Sequence, residues 1–214
     1  RGRNLATDGL RSVPEHVGKD EGMEGMEGIK VGIIIGSIRD GRRGEPVGRW
    51  VADATADRDD AEYEVIDLKR FDVPLLTTAT HPAAAGGRYD SPQVQRWSAA
   101  IGACDGFVFV TPEYNHGVPG ALKNAVDSLG SEWSGKPVAF VSYGSAGGVR
   151  AVEQWRQIIA NFRMADVRSQ VTLSIFTDFA ADGTLTPSDR QGSDLTTLLD
   201  DLIAEIHLRS NRPT

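Results

Sequence analysis

DGFVFVTPEYNHGVPGALKNAVDSL, residues 105–129, runs from an unbroken apolar stretch through a polar loop into an amphipathic segment. The apolar run has the character of a strand buried on both faces, as in a parallel sheet covered by helices. Leu122, Val126 and Leu129 recur at helical spacing and give the segment after the loop one apolar stripe. A strand that feeds a helix in this way is half of a crossover unit, so the fold depends on whether the rest of the chain repeats it.

It does so in both directions. Upstream, KVGIIIG (30–36) reads as a first strand, Val47, Trp50, Val51 and Ala54 as the stripe of a helix starting near Pro46, and residues 62–67 as a second strand. Ser91 and Pro92 make an N-cap and first-turn pair for a helix carrying Val94, Trp97 and Ile101. Downstream, KPVAFVSYG (136–144) is a fourth strand, followed by a helical stripe of Val149, Val152, Trp155, Ile159 and Phe162. Residues 166–176 supply a fifth strand, and a helix beginning around Thr186, Pro187 and Asp189 carries Leu195, Leu198, Leu199, Leu202, Ile203 and Ile206. Five strands alternating with five helices predict an α/β, flavodoxin-like, doubly wound five-stranded parallel sheet with helices on both faces. Residues 70–90, with Pro74, Pro82 and the Gly86–Gly87 pair, read as a surface excursion placed to cover a site.

The 214 residues suffice for one ordinary domain, expected over 29–210. Residues 1–28 mix charges with glycines, show no period and read as a disordered leader. A net charge of -7 gives no general attraction to nucleic acid or to anionic lipid, and no apolar run has the length of a membrane span. Cys104 is the single cysteine, and without a CxxC pair or a secretory apolar core the chain suits a reducing, cytoplasmic setting. Cys104 itself reads as a small core residue. His16, His81, His116 and His207 have no ligand spacing, so no metal site is expected. Trp50, Trp97 and Trp155 fall on helical stripes and belong in the core, whereas Trp133, in a polar loop, is expected to meet a partner subunit or substrate.

In a doubly wound sheet, ligands bind beyond the carboxyl ends of the strands, where the loops after strands one, three and four converge. The first of these, GSIRDGRRGEP (36–46), leads into a helix start and offers the Ser37 hydroxyl with the Arg39 and Arg42 guanidinium groups. A phosphate dianion needs such donors beside a helix N-terminus. Gly36 and Gly41 have P-loop separation, but Arg42 and Arg43 stand where that motif requires lysine and a hydroxyl residue, and no GxGxxG is present. A plain polar connection remains open on composition alone.

GSIR (36–39), TPEYNHGVPGALKNAVD (111–127) and SYGSAGG (142–148) together resemble the NAD(P)H-dependent FMN reductase family, which also includes quinone, azo-dye and chromate reductases. The resemblance runs from about Lys30 to about Asp178. It implies bound FMN, with hydride passing from NADPH or NADH to flavin N5 and electrons then going to a quinone, free flavin, azo dye or chromate. By resemblance, Ser37 and Arg39 bind the FMN phosphate. Arg42 takes second rank, because many members have a hydroxyl residue and an asparagine where this chain has Arg42 and Gly44. Pro112, Glu113, Tyr114 and Asn115 correspond to the loop that offers backbone donors to the flavin's polar edge, with Tyr114 beside the ring. Ser142, Tyr143, Gly144 and Gly147 correspond to the opposite wall. The family habit of assembly implies a homodimer or homotetramer. Hydride transfer requires no general base, so no catalytic residue is assigned. The rival reading is an FMN-binding module that senses redox state or carries electrons for a partner; a phosphate-binding hydrolase ranks last, for want of a loop nucleophile with an aspartate partner.

Overall fold

The computed structural model describes residues 28–210, and of the leader expected at 1–28 all but the last residue lies outside that range. Its sheet consists of β1 (Lys30–Ile35), β2 (Glu62–Asp67), β3 (Gly106–Pro112), β4 (Pro137–Gly144) and β5 (Ala165–Ser174). All neighbours pair in parallel in the order β2-β1-β3-β4-β5, the flavodoxin-like arrangement. The three central strands are apolar along almost their whole length because both sides of the sheet are covered.

Side chains alternate between those two sides. Ile34, Phe107, Phe109, Val138 and Phe140 pack against α2 (Pro92–Gly102), α3 (Gly120–Asp127) and α4 (Val149–Ala160). Ile33, Val108, Val110, Ala139 and Val141 face α1 (Gly44–Asp53) and α5 (Asp189–Ser210). Register keeps the two sets in layers, with Ile33 opposite Val108, Ile34 opposite Phe109 and Phe109 opposite Phe140. A one-residue slip would exchange the two faces of a strand. Two caps fix helix starts: the Ser91 hydroxyl accepts from Val94 N–H at the start of α2, and Ser188 and Gln191 accept from each other's N–H before α5.

One expectation fails here. Trp133 lies in a short 3-10 turn, Ser131–Trp133, but is completely buried, its Nε1 donating to the Val126 carbonyl at 3.1 Å. Its ring meets Phe107 and Phe109 at centroid distances of 5.1 and 5.9 Å, so it completes the core and meets no partner. The excursion after β2 runs over the surface, where Asp72 and Val73 share a cleft with Ile38 of the first loop. Asn124 on α3 holds this excursion, its side chain donating to the Pro74 carbonyl and accepting from Leu76 N–H, both at 2.9 Å.

Candidate functional site

Strand order reverses between β1 and β3, so the chain leaves their carboxyl ends toward opposite layers of helices and opens a crevice. The ends of β4 and β5 close its other side. The crevice has a volume of about 440 Å³ and is walled by the arginines of the first loop, by Pro112 to Tyr114, and by Tyr143 to Ser145.

One end of the crevice is built to receive an anion. The backbone enters α1 there without any side-chain cap, leaving first-turn N–H groups available. Arg39 and Arg43 have no carboxylate partner among the described residues: the Arg39 guanidinium lies 5.6 Å from the centre of the Tyr114 ring, while Arg43 donates to the Ile175 carbonyl at 2.9 Å and covers Phe179. Arg42 differs. Its guanidinium forks onto Asp67 at 2.8 and 2.5 Å and also donates to the Ser37 carbonyl at 2.7 Å. The Asp67 hydrogen bond raises the pKa of Arg42 and outweighs the lowering effect of burial. Arg42 therefore braces the loop against the end of β2, with its charge already neutralised, instead of standing ready as a phosphate ligand. Arg43, absent from the sequence-based site, takes that place in the crevice wall; its position next to the first turn of α1 was the available signal.

Ser37 is buried, and its hydroxyl lies 2.7 Å from that of Tyr114, tying the first loop to the third. The Tyr143 hydroxyl is buried without a hydrogen-bond partner, and a Cβ added to Gly44 would come within 2.8 Å of it. Burial pushes the phenol well above its ordinary range, so it stays a donor at neutral pH. An orphaned donor next to a helix N-terminus and two guanidinium groups without a carboxylate partner among the described residues form a donor set suited to a phosphate monoester.

Beyond that end, the PEYN segment makes a tight hairpin. Tyr114 and Gly117 exchange both backbone hydrogen bonds at 3.0 Å, and Asn115 and His116 between them have φ of 49° and 67°, as a type I′ turn requires. This geometry corrects the expected row of backbone donors. Pro112 has no N–H, that of Glu113 is spent on the Tyr143 carbonyl, and that of Tyr114 on Gly117. Within the segment, Asn115 N–H alone has no partner among the described residues.

The facing wall is equally committed. Ser142 is fully buried and donates to the Gly147 carbonyl at 2.7 Å, so it shapes the turn from beneath and presents no hydroxyl to the crevice. Gly148, at φ 81°, leaves no room for a Cβ, which would fall 2.7 Å from that of Ser142. Gly147 packs against Thr172, while Tyr143, Gly144 and Ser145 reach the crevice surface. Of the residues expected from sequence, Arg39, Arg42, Pro112, Glu113, Tyr114, Tyr143 and Gly144 line the crevice; Ser37, Ser142, Asn115 and Gly147 support or flank it.

Cys104 is buried and desolvation raises its thiol pKa to about 11, which leaves it protonated and unreactive. Among the described residues, no group of three or more His, Cys, Asp or Glu could hold a metal ion, and no helix is long and apolar enough to cross a membrane.

A doubly wound sheet with a donor-rich crevice at its switch point suits a nucleotide or flavin mononucleotide. The family model for NADPH-dependent FMN reductases matches residues 29–178, and the chain belongs to that family, a class of NAD(P)H-dependent FMN oxidoreductases. An NAD(P)H-dependent FMN reductase from Nectria sp is 43% identical over 129 residues, 58% of this chain and 64% of that protein. A quinone reductase from Pseudomonas putida is 35% identical over 135 residues, covering 59% of this chain and 67% of its own. The structure of FerB, a flavoenzyme NAD(P)H:(acceptor) oxidoreductase from Paracoccus denitrificans, superposes with a TM-score of 0.65 at 21% identity, covering 85% of this chain and 98% of that one. At that identity the superposition bears on the fold alone.

Proposed function

We propose that this chain binds FMN in the crevice and uses it to carry electrons from NADPH or NADH to a small-molecule acceptor, with a quinone as the favoured class. The observation that carries the reading is the anion-binding end: Arg39, Arg43, the uncapped start of α1 and the unpartnered Tyr143 hydroxyl converge there. They fit the phosphate of FMN, and at the turn after β4 Gly144 and Ser145 present little side chain to the crevice.

FMN supplies the hydride and electron chemistry. The protein's own part is placement. Arg39 and Arg43 hold the anionic tail, Tyr114 is fixed through Ser37 at the edge of the crevice, and Asn115 N–H is available to a polar ring edge. No side chain is needed to take or give a proton at the hydride step. The quinone preference draws support from the Pseudomonas putida relative. A homo-oligomer in a reducing cytoplasm is part of the same proposal.

The test is steady-state turnover of purified, FMN-loaded protein with NADPH or NADH and a benzoquinone. Many turnovers per flavin are expected. Flavin that reduces only through a separate reductase would instead identify an electron-carrier module.

A further inference from the structure

We infer that Glu113, in the crevice wall, and Arg150, which pairs with it from the first turn of α4, form a compensating charge pair that sets the reduction potential of the bound flavin. The inference rests on the FMN reading of the crevice.

The Glu113 side chain is only 4% exposed and belongs to the crevice wall, an unusual place for a carboxylate where a reduced cofactor is to accumulate negative charge. Its charge is met on two sides. Oε2 accepts from Arg150 N–H at 3.1 Å, in the first turn of α4, and Oε1 accepts from Arg150 Nη1. One oxygen therefore occupies the positive end of α4 and the other a guanidinium group. The turn after β4 closes round this pair, since a Cβ on Gly144 would lie 3.2 Å from Glu113 Cβ. The Arg150 side chain is 39% exposed and, among the described residues, has no other carboxylate partner.

Taking up two electrons and one proton gives the bound ring one net negative charge. The binding ratio of oxidised to reduced flavin then depends on the charge fixed in the wall. With the pair intact, carboxylate and guanidinium cancel. Removing Arg150 exposes the ring to the carboxylate, softened only by the helix end, and favours the oxidised form. Removing the Glu113 charge leaves the guanidinium uncompensated and favours the reduced form. Neither residue touches the reacting atoms by this account; both act through the field.

The experiment measures the midpoint potential of bound FMN, together with the affinity of the apoprotein for oxidised FMN, in the wild type, Arg150→Met, Arg150→Lys, Glu113→Gln and the double variant Glu113→Gln/Arg150→Met. Arg150→Met is expected to lower the potential and Glu113→Gln to raise it, each by about a tenfold change in the oxidised-to-reduced binding ratio, roughly 30 mV for a two-electron couple. Arg150→Lys and the double variant should return close to wild type, and both shifts should shrink in high salt. If the pair were only a mechanical latch, the single variants would lose affinity for both oxidation states alike, with potentials unmoved or displaced in one direction. That result overturns the inference while leaving the FMN reading intact. Failure of the wild type to bind FMN at all would overturn the cofactor reading and this inference with it.

Discussion

At the scale of single residues, the three arginines of the crevice show how little residue type alone decides. Arg42 and Arg43 are neighbours in sequence, yet Arg42 is forked onto Asp67 while Arg43 lines the crevice and lies over the ring of Phe179. Arg39 is held over Tyr114 by its face and has no carboxylate to satisfy it. Replacing Arg39 with Ala should therefore weaken FMN retention by at least tenfold, while changing the urea midpoint of the apoprotein little; flavin absorbance after gel filtration checks it. Arg42→Ala should show the reverse balance, since it removes a buried brace from the Asp67 carboxylate.

At the scale of elements, the excursion after β2 is secured at its start by Asn124 and at its end by the carboxylate of Glu132. Glu132 Oε1 accepts from the Ser98 hydroxyl at 2.6 Å and the Tyr89 hydroxyl at 2.8 Å, and Oε2 from Gly130 N–H at 3.1 Å, so it joins the excursion to α2 and to the turn after α3. Burial raises the pKa of Glu132, but the hydrogen bonds from Ser98, Gly130 and Tyr89 outweigh it and hold the carboxyl below its usual value. A carboxyl depressed in the folded state stabilises fully above its unfolded pKa, and the contribution disappears as pH falls through the folded value. Glu132→Ala should thus cost about 2 kcal/mol at neutral pH, with the gap to wild type narrowing in acid, read from urea melts at several pH values. Proteolytic nicking within 77–81 should increase in the same variant if the excursion loosens.

At the scale of the whole molecule, a ligand that bridges the loops after β1, β3 and β4 fastens strands from the centre of the sheet to one another. FMN at about 100 times its dissociation constant contributes about 2.7 kcal/mol to folding stability. For a domain of this size, that corresponds to roughly 5–10 °C in Tm, measurable by differential scanning fluorimetry of apoprotein with and without FMN. Riboflavin, which lacks the phosphate, should give a much smaller shift if the arginine end carries most of the grip. An equal shift from riboflavin would count against the phosphate assignment.

The order of elements was legible in the sequence because a parallel sheet buried on both sides demands unbroken apolar strands, and helices covering it demand stripes at helical spacing. Both patterns are local, as are the glycines after β4, whereas the type I′ turn at Asn115 and His116 was seen only in the structure. What each polar group does was decided only in three dimensions. Whether Arg42 was available depended on Asp67, 25 positions away; whether Ser142 faced a ligand depended on the fold of the turn at Gly147; and Trp133 joined the core because Phe107 and Phe109 meet it there. Partnership between distant polar groups leaves no period in the chain, so it emerges from the tertiary structure, where desolvation drives buried donors and acceptors together and makes an exception such as the Tyr143 hydroxyl informative.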